Sequence, residues 1–284
     1  MIVNNLNEAR VYLPSVNVRV DSNRFEDFFR KAQEYVVSKL LGSDMETLLE
    51  TPVPQGEEDP HAVLRRMAAR LISEHAYLKA APEMDLQLSE AGFVVQSNDS
   101  VSPASVQRVD RLIASLDNRI ADDSDALVRF LLKTSGEGGQ YESWRTSNQF
   151  IRLTSAFVPY FSLMKGFACR PIDMKWTDFI EKASMMATGL KAVASSYVSE
   201  EQIDTLLELY RDNGLMPSQQ KAVTELRGVG ISYVLGDIDG ARAAAIRARR
   251  IMVLNIADFP AFKHSQAFDT PGIKFGNGTI ANGL

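Results

Sequence analysis

Apolar residues recur at helical spacing through most of the chain. Phe25, Phe28, Phe29, Ala32, Tyr35, Val36 and Leu40 follow the i, i+3, i+4, i+7 rhythm of an amphipathic helix. Asp21, Ser22 or Asn23 can cap its start and Gly42 can end it. A second stripe, Val63, Leu64, Met67, Ala68, Leu71 and Ile72, predicts a helix from about residue 62 to 80, ending near Pro82. His75 lies one turn beyond Leu71 and reads as a core histidine. From Pro103 to Lys133 the stripe is Val106, Val109, Leu112, Ile113, Leu116 and Ile120, with a break expected at Asp122-Asp123-Ser124. Trp176, Phe179, Ile180, Ala183, Met186, Ala187 and Leu190 form another stripe, with Asp173 as a cap. A further helix is expected over 222–235, then a break at "DIDG" with Asp239 capping the next helix.

Two stretches change period. Leu86 and Leu88 alternate with polar residues and Phe93-Val94-Val95 is β-prone, so 84–96 reads as a β-hairpin with Gly92 at positive φ. The C-terminal "GIKFGNGTIANGL" has the same character. Such short arms have too little apolar content to be stable alone and need a body or a neighbouring subunit to pair with. Leu86, Leu88, Phe93, Val95, Phe268, Ile273, Phe275 and Ile280 are the expected contact residues of these arms. Between the helical parts, "TSGEGGQ" reads as a flexible link, and Phe150 to Tyr160 leaves a strand open, with Pro159 within it.

One phrase occurs twice. "FEDFFRKA" (Phe25 to Ala32) aligns with "WTDFIEKA" (Trp176 to Ala183), and Thr47-Leu48-Leu49-Glu50 recurs as Thr205-Leu206-Leu207-Glu208. A turn-forming patch and another helical stretch follow each copy. A spacing of about 150 residues is too long for a solenoid and suggests duplication of a subdomain. Asp27 and Asp178 fall in first helical turns, where the dipole favours negative charge, and Lys31 and Lys182 follow at i+4 as ion-pair partners. The expected fold is therefore mainly α: a duplicated helical-hairpin or bundle unit with short β-hairpin arms. The expected boundaries are 1–133 for the first unit, 134–165 for a linker and crossover, and 166–284 for the second unit.

Composition adds exclusions. Of the 284 residues, 45% are hydrophobic and 24% charged, ordinary for a soluble domain or pair of domains. A net charge of −5 argues against a dedicated nucleic-acid binder. The single Cys169 forbids an internal disulfide or a cysteine metal cage and reads as a small buried thiol. No secretory signal or membrane helix is expected. "GVGISYVLG" places Tyr233 where a dinucleotide loop needs its third glycine, and it lies in a helical pattern. "DIDG" lacks the other ligands of a calcium loop. His61, His75 and His264 stand far apart, with no partner at metal-pair spacing. No catalytic, cofactor-binding or metal residue is expected. Arg242, Arg247, Arg249 and Arg250 cluster on one predicted helix, as a solvated face or as an electrostatic surface for DNA or an acidic partner.

The combination resembles a known family. "AQEYVVSKLLGSDMETLLE" is similar to a helix pattern of tailed-phage head–tail connector proteins. "AARLISEHAYLKAAPEMDLQLSEAGFVV" extends that pattern through a helix and a hairpin. With "YESWRTS" and the second helical copy, the chain resembles the DUF6712 type of uncharacterised proteins from Bacteroidetes phages and prophages. The small connectors carry one such helical unit, so the length departs from theirs. The resemblance implies a non-enzymatic structural protein at the head–tail junction. Its expected partners are portal or tail proteins and further copies of itself in a ring, with no membrane, cofactor or sequence-specific nucleic acid. Its expected place is the cytoplasm during assembly and then the virion. Two other classes stay open: an α-helical protein-protein adaptor outside any virion, and an enzyme with a dispersed site.

Overall fold

A helix that ends, bends or changes type leaves carbonyl groups without partners, and this chain does so repeatedly. The computed structural model describes residues 1–13, 25–51, 59–84, 86–89, 92–95, 106–136, 138–167 and 174–269. The described residues are mainly helical. Two compact units divide at the Phe150/Ile151 junction.

The first unit begins with α1 (Leu6–Ala9), capped by the Asn5 side chain, which accepts from the Asn7 and Glu8 amides. α2 (Glu26–Val36) buries Phe29, Ala32, Gln33 and Val36. It runs directly into a π-helical turn, Val37–Leu41, closed by the Gly42 amide donating to the Val37 carbonyl at 2.8 Å. Gly42 sits at φ +85°, a backbone that glycine adopts without strain. The wider turn aims two carbonyls outward. Gln149 Nε2 donates to Ser38 O at 3.1 Å and Trp144 Nε1 donates to Leu40 O at 2.8 Å.

α3 (Ser43–Glu50) follows, and Arg65 Nε donates to its Leu49 carbonyl at 3.0 Å. α4 (Pro60–Met84) packs against both α2 and α5 (Val106–Thr134). β1 (Leu86–Ser89) and β2 (Gly92–Val95) pair antiparallel, with Leu86 opposite Val95 and Leu88 opposite Phe93. Two short helices, α6 (Glu142–Arg145) and α7 (Asn148–Thr154), bring the chain to the division between units.

The second unit contains α8 (Phe161–Phe167), α9 (Trp176–Val198), α10 (Glu200–Arg211), α11 (Pro217–Val234) and α12 (Ile238–Leu254). A 3-10 turn, Ile256–Asp258, and the short helices α13 (Pro260–Lys263) and α14 (Gln266–Asp269) complete it. α11 lies against both α9 and α12. The core joins Phe157, Leu190, Val198, Leu206, Leu226 and Phe262 with a small-residue face of α12, Ala241, Ala244, Ala245 and Ala248. One glycine of "GVGISYVLG" serves packing. Gly230 lets the Met186 carbonyl approach, and on the facing helix Gly189 leaves room for the Tyr233 ring.

Several expectations are corrected. The acidic trio 122–124 does not interrupt α5, because Ser124 and Asp125 are buried on its inner side and Asp123 pairs with Arg70. Residues 134–165 contain the division between the units and are largely built into them. Tyr141 and Trp144 are wholly buried in the first unit, while Phe157 is wholly buried in the second. The strand left open near Phe150 is helix. Asp237, not Asp239, caps α12, its Oδ1 accepting from the Gly240 amide at 2.9 Å. Asp27 pairs with Arg30 rather than Lys31, and Asp178 Oδ2 accepts from the Lys175 amide.

The repeated phrase opens a long helix in each unit, but the duplicated unit finds no support. The first copy passes through a π turn and leads on to a β ribbon, whereas the second runs on for 23 residues and leads to α12. The expected caps Asp21, Ser22, Asn23 and Asp173, and Cys169, lie outside the described residues.

The glycine contacts give a paired prediction. A methyl group at Gly189 would stand 2.2 Å from the Tyr233 ring and 2.7 Å from its Cβ, close to the backbone, where the side chain cannot swing away. At Gly228 it would meet only Ala244 Cβ at 3.5 Å, an ordinary contact. Gly189→Ala should lose about 1–3 kcal/mol through overpacking. Gly228→Ala should be neutral or gain up to about 1 kcal/mol from helix propensity. Urea unfolding of the two variants measures the contrast.

Candidate functional site

The middle of α4 is apolar on more than one side because α2 and α5 both cover it. Leu71, Ile72, Ser73, Glu74, His75 and Ala76 are all buried in succession. This draws two ionisable residues into the first unit. Arg70 precedes Glu74 by one turn on α4, and Arg119 precedes Asp123 by one turn on α5. Arg70 meets Asp123 and Arg119 meets Glu74, so the helices run antiparallel and their charges cross-pair.

Arg119 Nη2 lies 2.5 Å from Glu74 Oε1, and Arg70 Nε lies 2.7 Å from Asp123 Oδ2 and 3.6 Å from Glu74 Oε1. Arg119 Nη2 also donates to the Tyr12 carbonyl at 3.0 Å, tying in the chain beyond α1. The side chains are graded in exposure: 0% for Glu74, 19% for Asp123, 35% for Arg119 and 46% for Arg70. Burial pushes the Glu74 carboxyl up to about 7, helped by the neighbouring Asp123 carboxyl and its charge. The two arginines pull the other way without overcoming this.

His75, next in the chain, faces the Tyr35 ring of α2 at 5.2 Å between centroids. Burial, and secondarily the charge of Lys79, lowers its pKa to about 4. His75 is thus the buried neutral histidine that its place in the stripe suggested. The fully buried Glu74 can hold and release a proton but presents nothing to a substrate. The Arg-x-x-x-Glu and Arg-x-x-x-Asp spacings were visible in the sequence, as was a lone acid within "LISEHA". The cross-pairing was not.

The arginine cluster of α12 comes apart. Arg242 is exposed and pairs with Asp239 at 3.4 Å, and Arg247 Nε donates to Glu225 Oε2 at 2.7 Å. Arg250 is exposed. Arg249 turns inward. It donates to the carbonyls of Tyr197 at 3.1 Å, of Phe268 at 3.3 Å and of Ala267, and lies over the Phe262 ring. Four arginines on one surface are therefore reduced to three, Arg242, Arg247 and Arg250.

Of the expected arm residues, Phe268 belongs to α14 and packs edge-on to Phe262 at 5.5 Å, so it is part of the body. Leu86, Leu88, Phe93 and Val95 lie in the β1–β2 ribbon. Ile273, Phe275 and Ile280 lie outside the described residues.

A polar depression of about 270 Å³ sits at the start of α3. Its polar lining comes from Ser43, Ser143, Thr146, Ser147, Asn148 and Gln149, with Asp44 as its one ionisable group, beside Leu41 and Met45. Among the described residues, no three His, Cys, Asp or Glu side chains are grouped to hold a metal ion, and no helix is long and apolar enough to cross a membrane.

Residues 26–152 match the model of DUF6712, a family of unknown function. The match covers less than half of the chain and falls almost wholly within the first unit, from the start of α2 into α7. It includes both halves of the charge network and the π turn with its Trp144 and Gln149 donors. Searches of curated proteins and of solved structures found no match.

The unequal roles of the α12 arginines are measurable. Arg249→Ala strips donors from three carbonyls and should cost about 2 kcal/mol or more. Arg247→Ala breaks one exposed pair and should change stability by about 0.5 kcal/mol or less. Chemical denaturation followed through the second unit distinguishes them.

Proposed function

We propose that this chain is a non-enzymatic structural protein of a phage or prophage particle, acting at the head–tail junction as a connector between portal and tail proteins. In this reading it assembles as a ring of identical subunits. One observation carries it: the connector-like stretch Ala32 to Glu50 lies inside the DUF6712 match and forms a braced helical element. The helix, π turn, Gly42 and second helix of that stretch are held from outside by Trp144 and Gln149. A part that must keep its shape while packed laterally against copies of itself benefits from such bracing.

The β1–β2 ribbon and the C-terminal segment are the proposed contact arms. In the ribbon, Leu86 faces Val95 and Leu88 faces Phe93 across the register, which sets four apolar positions on one face. Packing of that face against a neighbouring subunit would supply what a two-stranded ribbon lacks alone. The α12 arginines left exposed, Arg242, Arg247 and Arg250, would lie on the body.

Light scattering across protein concentration, with negative-stain images of the large species, is the test. The expected result is a mass that rises to a closed ring, or a stable complex with a co-expressed portal protein. A monomer at every concentration that also fails to co-purify with portal proteins overturns the reading. Removal of residues 270–284 should abolish assembly and leave the melting temperature of the body within about 2 °C, since no part of either described core is lost.

A further inference from the structure

The crossed charges between α4 and α5 are incomplete as ion pairs. Both Glu74 oxygens and Asp123 Oδ2 are buried without a hydrogen bond of fitting geometry from any N–H or O–H, although the arginines stand close. Both carboxylates converge on one guanidinium nitrogen, Arg70 Nε, at 3.6 Å from Glu74 Oε1 and 2.7 Å from Asp123 Oδ2. Two carboxylates that close cannot both ionise cheaply in a buried setting, and one proton between them supplies the missing hydrogen bond.

We propose that Glu74 and Asp123 share one proton and that this proton is a latch. With it in place, α4, α5 and the chain at Tyr12 are locked together; its loss loosens the first unit. The groups facing the latch are Arg70 on α4, Arg119 and Asp123 on α5, and the Tyr12 carbonyl. Away from it, α2 brings Tyr35 to His75, near Lys79. α3 meets α4 through Arg65, which is occupied by the Leu49 carbonyl. In α1, Glu8 is held by Asn4 and Asn5. Arg119 makes the latch three-way, because the same Nη2 serves Glu74 and Tyr12.

The sign follows from which state keeps the proton. Glu74 holds its proton more tightly folded than unfolded, its pKa raised from 4.5 to about 7. Its contribution to stability is therefore whole below pH 4.5 and is lost as pH rises through about 7. His75 acts in the opposite sense. Its folded pKa is lowered from 6.5 to about 4, so its contribution is whole above pH 6.5 and is lost as pH falls through about 4. The two slopes oppose each other between these limits, and a comparison with Glu74→Gln removes the His75 part. Glutamine keeps the size and donates an N–H to Asp123 as the protonated acid does, but it cannot ionise.

The experiment is amide hydrogen exchange of the full chain from pH 4.5 to 8.5, corrected for intrinsic exchange, with α11 of the second unit as internal reference. In α4 and α5, the ratio of protection in Glu74→Gln to that in the wild type should rise by up to about tenfold per pH unit between pH ~5 and ~7 and then level off. A ratio that stays constant with pH overturns the proposal. If Glu74→Gln does not fold, Asp123→Asn decides. Without the neighbouring Asp123 charge, which adds to the effect of burial, the pH at which α4 and α5 loosen should move down, and an unmoved midpoint overturns the latch.

Discussion

Where the described residues are mainly helical and many of the helices short, the groups hardest to satisfy are the carbonyls where helices stop. Both units meet this demand with side-chain donors from elsewhere in the same unit. Trp144 and Gln149 serve the π turn, Arg65 serves the end of α3, and Arg119 serves Tyr12. In the second unit Arg227 Nε donates to the Phe157 carbonyl at 2.7 Å, where the backbone stands at φ +59°. Arg211 reaches Thr154 and Ile151, Gln219 reaches Asp258, and Arg249 reaches the ends of α9 and α14. Arginine suits this duty because its fork spans several acceptors while its stem covers apolar surface. The apolar stripes bring helices together, and these donors decide where each one ends.

This explains which parts of the fold were legible in the sequence. Stripes such as Trp176 to Leu190 depend on local spacing, and they became helices with the expected buried faces. Endings depend on distant partners, and there the local reading failed. Asp122-Asp123-Ser124 looked like a break as a polar run inside the stripe, whereas Ser124 is buried and Asp123 meets Arg70, over fifty residues earlier. "YESWRTS" looked like part of a crossover because its anchor, the Leu40 carbonyl, is a hundred residues away. The arginines of α12 looked equivalent, yet only a three-dimensional view shows that Arg249 is claimed by three carbonyls.

The charge network between α4 and α5 falls between these cases. Each helix announces half of it through i, i+4 spacing, but only antiparallel packing crosses the pairs. A same-helix reading would assign Arg70 to Glu74, where the distance is 3.6 Å, over Asp123 at 2.7 Å. Joining two helices through a buried acid and its partly exposed charged neighbours gains little stability over an apolar contact of the same shape. What it adds is register. A slide of one turn would leave Glu74 buried without Arg119, a far larger penalty than a slide between leucines.

The π turn at Val37–Leu41 has a different consequence. A turn closed from residue 37 to residue 42 holds one residue more than an α-helical turn would. The length of this segment, more than the identity of its residues, is what the fold requires. Remove one residue and the turn relaxes to an ordinary helix; every side chain before it then rotates by about 100° relative to Gly42. Phe29 and Val36 would leave the core, and the Leu40 carbonyl would turn from the Trp144 indole. Here a one-residue deletion is more disruptive than most substitutions, and an alignment gap placed here compares different folds.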